Sequence, residues 1–360
     1  MSGAKREARG VKDLDIPDGY AGLTFPWSDP PAEGETTEVA DGVLWARLPL
    51  PMALDHVNVY FLRDGDGWAM VDTGFDTRRT RAILGALRAG PLNDLPIGRV
   101  LVTHHHPDHI GLAGLLQAEG AELITTRTAW LMARMLVLDE QAVPTSETTE
   151  FCRRWGMDPV ILAKRATERP FNFADMVAPL PVGYTRIRAG DRIRLGGRDW
   201  DVARGDGHAA EHAVLFEAGG PLVLGGDQLL PGISPNLGLY PSESNADPVG
   251  DWLAACDRLA PLARADHLVL PGHKTPYVGL PTRLASLRQN HVAALDRLHD
   301  HLATPRTGGE CFAPLFRRTV DEGTYGLAFF EAIAHLQHLH LPGRAGRTTR
   351  ADGVWLFEAC

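Results

Sequence analysis

The segment that most constrains the fold is THHHPDHIG at positions 103–111, which carries four candidate metal ligands, His104, His106, Asp108 and His109, within six positions. His104 and His106 are two residues apart, so on an extended chain their side chains project to the same side. Asp108 and His109 follow a proline, a common first residue of a helix, and a helix beginning there returns both side chains to the same space. Imidazole nitrogens and carboxylate oxygens are ligands that zinc prefers. Because buried polar groups need partners, the segment predicts a metal site.

The flanking sequence predicts that this segment is held at the end of a β-sheet. It follows the strand-like run RVLVTH at 99–104 and precedes IGLAGLLQAEG at 110–120, a helical pattern that Gly120 should end. A loop between a strand and a helix is anchored at both ends. This context disfavours the alternative, which is an exposed histidine-rich loop without a function.

Three later residues of the same chemical types could complete a second set of ligands. His208 follows the strand-like run RDWDVARG, Asp227 ends PLVLGGD, and His273 lies in LVLPGHK. A glycine precedes each of them, and glycine permits the close approach of backbone that a crowded site needs. Asp72, in VDTG, is a further carboxylate after a strand-like run. Because one loop cannot fill two coordination spheres, these residues are the natural candidates for the remaining ligands.

Taken in order, these residues resemble the motif series of the metallo-β-lactamase superfamily over about residues 38 to 280: an Asp after a hairpin, H-x-H-x-D-H, then a lone His, a lone Asp and a lone His. The resemblance implies an α/β fold with a β-sandwich between layers of helices, the αββα arrangement. It also implies two divalent metal ions, with zinc as the first choice and manganese, iron or cobalt as alternatives. The ligands that it implies are His104, His106 and His208 for one ion, Asp108, His109 and His273 for the other, and Asp227 as the bridge.

The same resemblance implies a chemistry. Two metal ions close together lower the pKa of a bridging water, which then attacks as hydroxide, and one ion stabilises the oxyanion that develops. The catalytic side chains implied are Asp108 and Asp227, which would orient the hydroxide or transfer its proton, and Asp72, which would order the histidine loop by hydrogen bonds. His105 should point away from its neighbours, and His212 is interpreted as a residue behind the ligands.

The chain as a whole is predicted to have three main parts and one insertion. Residues 1–36, rich in Gly, Pro and acidic residues, are predicted to form an N-terminal tail, from which Phe25 and Trp27 could pack against the body of the protein. Residues 37–280 contain two successive sets of strand-like and helical runs, as a β-sandwich with outer helices requires. Residues 281–360 show two longer helical patterns and then two short arms around Ala351-Asp352-Gly353, a type I′ hairpin signal. Helices followed by a small hairpin resemble a winged-helix domain.

The insertion, residues 126–181, shows three or more short helical patterns and is predicted to cap the metal site. His208 follows His109 by 99 positions. This is about twice the separation in glyoxalase II, whose motif order is the same. Large apolar side chains in the segment suit a pocket for an apolar substrate. The residues predicted to line that pocket are Trp130, Met135, Phe151, Trp155 and Phe173. The alternative is that these residues only bury the insertion against the sandwich.

Two positions, Asp227 and Leu230, narrow the predicted class of substrate. Metallo-β-lactamases proper usually have Cys or Ser at the bridging position, so Asp227 argues against hydrolysis of β-lactam antibiotics. Quorum-quenching lactonases often have Tyr three residues later, where this chain has Leu230, which weakens that assignment without excluding lactones. The predicted substrate is a small, fairly hydrophobic ester, thioester or lactone, with a secondary phosphotriesterase activity. The alternatives are a metal-dependent endoribonuclease and a mononuclear iron enzyme similar to the persulfide dioxygenases.

Charge and composition bear on partners and location. The formal net charge of −9 argues against a nucleic-acid surface spread over the whole protein. Residues 281–360 have nine arginines against eight acidic residues, and the helical pattern at 325–340 has no Arg or Lys. We therefore predict a small-molecule substrate, no nucleic acid, and a packing or homodimer role for the C-terminal domain. The N-terminus lacks an apolar signal region, and no run of about 18 apolar residues occurs, so we expect neither a secretory signal nor a membrane span. The four cysteines, Cys152, Cys256, Cys311 and Cys360, are far apart and form no C-x-x-C pair, which disfavours a disulfide framework and predicts a cytoplasmic protein.

Overall fold

Two β-sheets packed face to face form the centre of the structure. The computed structural model describes residues 22–316 and 319–360. The first sheet contains, in spatial order, β1 (Thr37–Ala40), β2 (Val43–Pro49), β3 (His56–Asp64), β4 (Gly67–Val71), β5 (Ile97–Leu101), β6 (Glu122–Thr126) and β7 (Thr185–Ile187). The second contains β8 (Arg192–Leu195), β9 (Arg198–Gly205), β10 (His212–Glu217), β11 (Leu222–Gly226), β12 (Leu268–Pro271) and β13 (Tyr277–Val278). Its spatial order is β13-β12-β11-β10-β9-β8.

Helices cover the sheets and form most of the C-terminal part. The α-helices of residues 22–316 and 319–360 are α1 (Arg78–Ala89), α2 (Pro107–Ile110), α3 (Ala113–Ala118), α4 (Arg127–Leu138), α5 (Ser146–Arg154), α6 (Pro159–Arg165), α7 (Pro248–Leu259), α8 (Leu280–His301), α9 (Phe312–Leu315) and α10 (Tyr325–His340). A hairpin of β14 (Ala345–Thr349) and β15 (Trp355–Ala359) follows them.

Strand direction brings the predicted site residues to one edge of the sandwich. β4 and β5 are parallel neighbours in the first sheet, and β11 and β12 are parallel neighbours in the second. Neighbouring parallel strands have their carboxyl ends side by side. Asp72 and the 103–111 segment follow β4 and β5, whereas Asp227 and His273 follow β11 and β12. The polar residues therefore collect where the strands end, as the sequence pattern predicted.

Apolar side chains on both faces of each sheet explain the layers. Between the sheets, Trp45 and Tyr60 of the first sheet belong to the same buried cluster as Trp200 of the second. The opposite face of the first sheet packs against α1 and α3, and that of the second packs against α7 and α8. Burial of one large apolar side chain stabilises the fold by roughly 1.5–3 kcal/mol. The resulting order of layers confirms the predicted αββα fold.

The segment between β6 and β7 forms α4, α5 and α6, which confirms the prediction of three short helices. Each begins at a side chain that accepts a backbone N–H bond: Thr126, Thr145 and Asp158. α4 packs on the first sheet, but the residues of α5 and the turn after it belong to a cluster with α10 and the C-terminal hairpin. Trp155 is 1% exposed and stacks on Phe357 at 5.1 Å between ring centroids. The insertion and the C-terminal domain therefore share one core.

The C-terminal hairpin forms where it was predicted, but the type of its turn was predicted wrongly. A type I′ turn needs left-handed backbone at both central residues. Only Gly353 has a positive φ in this turn, at 84°, and the Arg350 N–H donates to the Val354 carbonyl. The loop between the strands is thus longer than two residues. The winged-helix assignment stays a prediction.

The described part of the predicted tail, residues 22–36, lies against the body of the protein. Thr24 exchanges two backbone hydrogen bonds with Val278 of β13, at 3.0 and 2.8 Å. Phe25 and Trp27 pack against buried apolar clusters, as the sequence suggested. The prediction of a tail for residues 1–21 falls outside the described residues. Among the residues that the structure describes, no helix combines the length and apolarity that crossing a membrane requires.

Candidate metal centre

Asp72 organises the start of the histidine loop. It has left-handed backbone, with a φ of 54°, immediately after β4. Its carboxylate accepts hydrogen bonds from the Thr103 backbone N–H at 2.8 Å and from the Thr103 hydroxyl at 2.9 Å. It also accepts one from Nδ1 of His109 at 2.8 Å. A non-glycine residue in this conformation is strained, and such strain is characteristic of functional sites.

One group of donors consists of His104, His106 and His208. Nδ1 of His106 lies 3.0 Å from Nε2 of His104 and 3.0 Å from Nε2 of His208. The other nitrogen of two of these rings is occupied: Nδ1 of His104 lies 3.0 Å from the Thr103 hydroxyl, and Nδ1 of His208 donates to the Asn236 carbonyl at 2.8 Å. Because the Thr103 hydroxyl donates to a carboxylate, it accepts from His104. Both Nε2 lone pairs therefore face the centre of the group.

A second group consists of Asp108, His109 and His273. An oxygen of Asp108 lies 3.6 Å from Nε2 of His109 and 3.3 Å from Nε2 of His273. Nδ1 of His273 donates to the His56 carbonyl at 2.7 Å, and Nδ1 of His109 is bonded to Asp72. Both rings therefore keep a proton on the outer nitrogen and turn Nε2 inward, where a metal ion could bind in place of a second proton.

Asp227 lies between the two groups. Its Oδ2 is 3.4 Å from Nε2 of His208 and 3.2 Å from Nε2 of His273, and its Oδ1 is 3.4 Å from Nε2 of His109. A single carboxylate therefore approaches both groups. This is the arrangement that a bridging ligand requires.

The donor set fits metal ions. Nε2 of His109 and Oδ1 of Asp227 are buried and, although they lie 3.4 Å apart, neither makes a hydrogen bond of good geometry, a costly condition for polar atoms. The inward-facing nitrogens of His104 and His208 likewise have only other ligand atoms near them. Within each donor group the ligand atoms lie within 4.8 Å of one another. Cations coordinated here would satisfy all of these lone pairs together.

The electrostatics of the two groups differ. Burial lowers the pKa of His104 and His106 well below the usual value, which keeps both rings in the neutral form that binds metal. Burial acts in the same direction on His109 and His273, but nearby carboxylates, with Asp227 the largest contributor, outweigh it. They raise the pKa of His273 to about 10. A metal ion at the second group would compete with protons for these lone pairs.

His105 and His212 lie beside the donors but belong to neither group. Nε2 of His212 accepts a hydrogen bond from the Asp227 backbone N–H at 3.1 Å, and its ring stacks on His104 at 4.6 Å. Burial lowers the pKa of His212 to about 3, so this ring is neutral. His105 stacks instead on Phe173, with 6.4 Å between ring centroids. These positions agree with the sequence interpretation of both residues.

The five predicted pocket residues lie in different surroundings. Phe173 contacts the histidine loop through His105, and Trp130 stacks on Tyr184 at 4.9 Å. Met135 is 46% exposed on α4. Phe151 and Trp155 instead pack with the C-terminal cluster. Because Trp155 is almost completely buried there, we exclude it from the proposed pocket.

Sequence reasoning missed the residues that orient the lone histidines. His56 and Asn236 position His273 and His208 through their backbone carbonyls. Every residue type has a carbonyl, so no sequence signal marks these two positions. Their roles follow only from the way the loops are brought together.

Comparison with known proteins agrees with the class of protein that this fold and site define. The chain belongs to the metallo-β-lactamase superfamily, whose family model matches residues 52–300. A second model, described as the metallo-β-lactamase-like C-terminal domain, matches residues 295–360. The two matches together extend from the sandwich to the C-terminal hairpin.

Individual relatives show similarity over most of the chain. A β-lactamase domain protein from Burkholderia ambifaria is 35% identical with a TM-score of 0.86, over 94% of this chain and 98% of that one. The metallo-β-lactamase family protein TTHA1429 from Thermus thermophilus is 27% identical with a TM-score of 0.75, over 90% and 100%. The probable metallo-hydrolase YqjP of Bacillus subtilis (strain 168) is 26% identical over 83% of this chain and 92% of its own length. The chain is thus a metal-dependent hydrolase of this superfamily.

Loss of the Asp72 carboxylate should weaken metal binding without a change to any proposed ligand. In Asp72→Ala, His109 and Thr103 lose the acceptor that orients them. We expect metal affinity to fall by about 10–100-fold, the usual cost of removing a partner that orients a ligand. Competition with a chromophoric chelator measures the affinity. Asp76→Ala, which removes an ion pair with Arg81 on the same segment, is the control and should bind metal normally. Equal affinities in the two variants would contradict the assigned role.

Proposed function

We propose that this protein is a dinuclear-metal hydrolase, with zinc as the preferred ion, that acts on a small, fairly hydrophobic ester, thioester or lactone. A secondary phosphotriesterase activity is part of the proposal. The observation that carries it is the position of Asp227, whose carboxylate approaches both donor groups. His104, His106 and His208 would hold one ion, and Asp108, His109 and His273 the other.

Bound metal ions would supply a Lewis acid for the substrate oxygen and a water of lowered pKa. The side chains supply orientation and proton transfer. The Asp108 side chain is 17% exposed and that of Asp227 is 8% exposed, so Asp108 is the more accessible of the two carboxylates. We assign to Asp108 the acceptance of a proton from the attacking water, and to Asp227 the alignment of the two donor groups. No serine or cysteine nucleophile is needed.

A cavity between the insertion and α10 supports the apolar character of the proposed substrate. Its volume is about 420 Å³, within the range for pockets that bind small molecules. Its apolar lining includes Met157, Ile161, Leu162, Phe171 and Phe330, and its charged lining consists of Lys164, Arg165, Glu168, Arg169 and Glu322. None of the five pocket residues predicted from the sequence lines this cavity.

Aromatic contacts connect the lining of this cavity with residues beside the metal centre. Phe171 lies 6.0 Å from Phe173, which stacks on His105. On the other side, Phe330 contacts Tyr240 at 4.9 Å, in the loop that orients His208. We propose that the apolar part of the substrate occupies this cavity. A cytoplasmic location and a homodimer formed through the C-terminal domain remain predictions from the sequence.

The proposed function predicts a metal content and a substrate profile. Zinc-loaded protein should contain about two ions per chain and release acid from aryl esters, acyl thioesters or lactones. EDTA should abolish this activity and added zinc should restore it. Metal analysis and a substrate panel that includes a phosphotriester and single-stranded RNA provide the test. One iron per chain with oxygen uptake would favour the dioxygenase alternative, and salt-dependent binding and cleavage of RNA would favour the nuclease.

A further inference from the structure

The loop that orients His208 is attached to the C-terminal domain. Asn236 belongs to the connection between β11 and α7, and its backbone carbonyl accepts the proton on Nδ1 of His208 at 2.8 Å. Its side-chain amide points the opposite way, toward α10. Nδ2 of Asn236 donates to a carboxylate oxygen of Glu331 at 2.8 Å and to the Leu327 carbonyl at 3.1 Å. One residue thus connects a proposed metal ligand with a helix that lies about 120 positions later in the sequence.

A further contact fixes the same loop to the same helix. The Leu239 N–H donates to the Phe330 carbonyl at 3.1 Å, and Leu239 itself is fully buried. α10 is a firm support because Phe329, Ile333 and Leu336 are completely buried in the C-terminal cluster. The bond from Asn236 to Glu331 has a charged acceptor, which makes it about twice as strong as a bond between neutral groups.

We propose that Glu331 is a positioning residue for the metal ligand His208, acting through Asn236. The C-terminal domain then completes the metal centre of the sandwich, although none of the proposed ligands lies in it. Without the bond to Glu331, the Asn236 carbonyl is held less firmly, and the His208 ring is oriented less strictly toward the other donors. This inference rests on the proposed metal site but not on the proposed substrate.

The hydrogen bond between Asn236 and Glu331 predicts an effect on one metal site only. His208 belongs to the group with His104 and His106. The other group is oriented by Asp72 and by the His56 carbonyl, neither of which contacts α10 through a described hydrogen bond. A variant that breaks this hydrogen bond should therefore lower the metal affinity of the site that contains His208 and leave the affinity of the other site unchanged. A general loss of stability would lower both together.

The test compares Glu331→Ala, Glu331→Gln and Asn236→Ala in the full-length protein. Zinc affinity is measured by chelator competition, and the coordination of cobalt by its visible spectrum. We expect Glu331→Ala to weaken one of two sites by about 10–100-fold. Glu331→Gln retains an acceptor oxygen and should stay close to the unmodified protein. Asn236→Ala keeps the carbonyl but loses the amide, and should weaken the same site at least as much as Glu331→Ala, because the bond to the Leu327 carbonyl is lost as well.

The controls separate positioning from folding. Leu327→Ala lies on the same helix, removes a side chain that is 56% exposed and leaves the acceptor carbonyl in place, so both affinities should remain normal. Because Glu331 acts only through the amide of Asn236 in this proposal, the double variant should bind zinc no worse than Asn236→Ala alone. Additive losses, or two unchanged sites in Glu331→Ala, overturn the inference. Unmodified protein that binds no zinc would instead overturn the proposed function, so the two failures are distinguishable.

Discussion

Replacement of Asp227 by alanine is expected to abolish hydrolysis and to release at least one of the two proposed metal ions. The carboxylate lies within 3.4 Å of Nε2 of His208, His273 and His109, so its loss removes negative charge from both donor groups at once. The decrease in kcat/KM should exceed the roughly 100-fold upper end of the cost of losing an orienting partner. Metal content and hydrolysis of an aryl ester measure the two effects.

Two companion variants show whether charge or structure is responsible. Asp227→Asn retains the size of the side chain but loses its charge, and we expect it to be nearly as impaired as the alanine variant. Asp266→Ala removes an exposed carboxylate paired with Arg264 and should leave metal content and activity unchanged. Full activity of Asp227→Ala with about two ions per chain would exclude the bridging role.

Gly272→Ala is expected to damage the metal centre by overcrowding. A Cβ at this position would lie 2.2 Å from Oδ1 of Asp227 and 2.8 Å from Cε1 of His109. The backbone cannot move aside easily, because the Gly272 N–H donates to the Gly226 carbonyl at 2.8 Å and its own carbonyl accepts from Asn58 at 2.7 Å. We expect a loss of about 1–3 kcal/mol in the free energy of unfolding, the usual cost of overpacking, and loss of metal bound by Asp227.

A glycine with free space around it serves as the matched control. A Cβ at Gly85, in the middle of α1, would meet no atom within 4 Å. Gly85→Ala should therefore stabilise the protein by roughly 0.5–1 kcal/mol, since alanine loses less conformational entropy in a helix than glycine does. Urea unfolding and metal analysis of both variants provide the comparison. Normal metal binding by Gly272→Ala would show that the loop can yield, and would contradict the predicted crowding.

The C-terminal domain has a closer relation to the metal centre than its place in the sequence suggests. The insertion contributes Trp155 to the same core as Phe357 and the buried residues of α10. The loop that orients His208 is bonded to that helix through Asn236. Removal of residues 281–360 would therefore expose the apolar core that the insertion shares with them. It would also remove the support of the proposed ligand His208. We interpret the sandwich, the insertion and the C-terminal domain as one structural unit around the site.

Much of the fold and of the donor set could be predicted from the sequence because both depend on local pattern. Alternating and continuous apolar runs indicated the strands, and parallel strands placed Asp72, Asp227 and His273 at a common edge. His104 and His106 are two residues apart in one extended segment, so local backbone geometry alone directs their side chains to the same side. Chemistry and local geometry marked these residues as candidates, the resemblance to the superfamily implied their grouping as ligands, and the structure brings them within hydrogen-bonding or near-contact distance.

The tertiary structure alone decided which groups support those donors. His208 is oriented by the carbonyl of Asn236, which is bonded in turn to Glu331, and His273 is oriented by the carbonyl of His56. The burial of Trp155 between the insertion and the C-terminal hairpin was likewise decided by the tertiary structure alone. These contacts join segments far apart in the chain, and several use backbone atoms that are the same in every residue. A local pattern specifies which side chains can bind a metal ion, but only the packing of distant segments determines which atoms hold them in place.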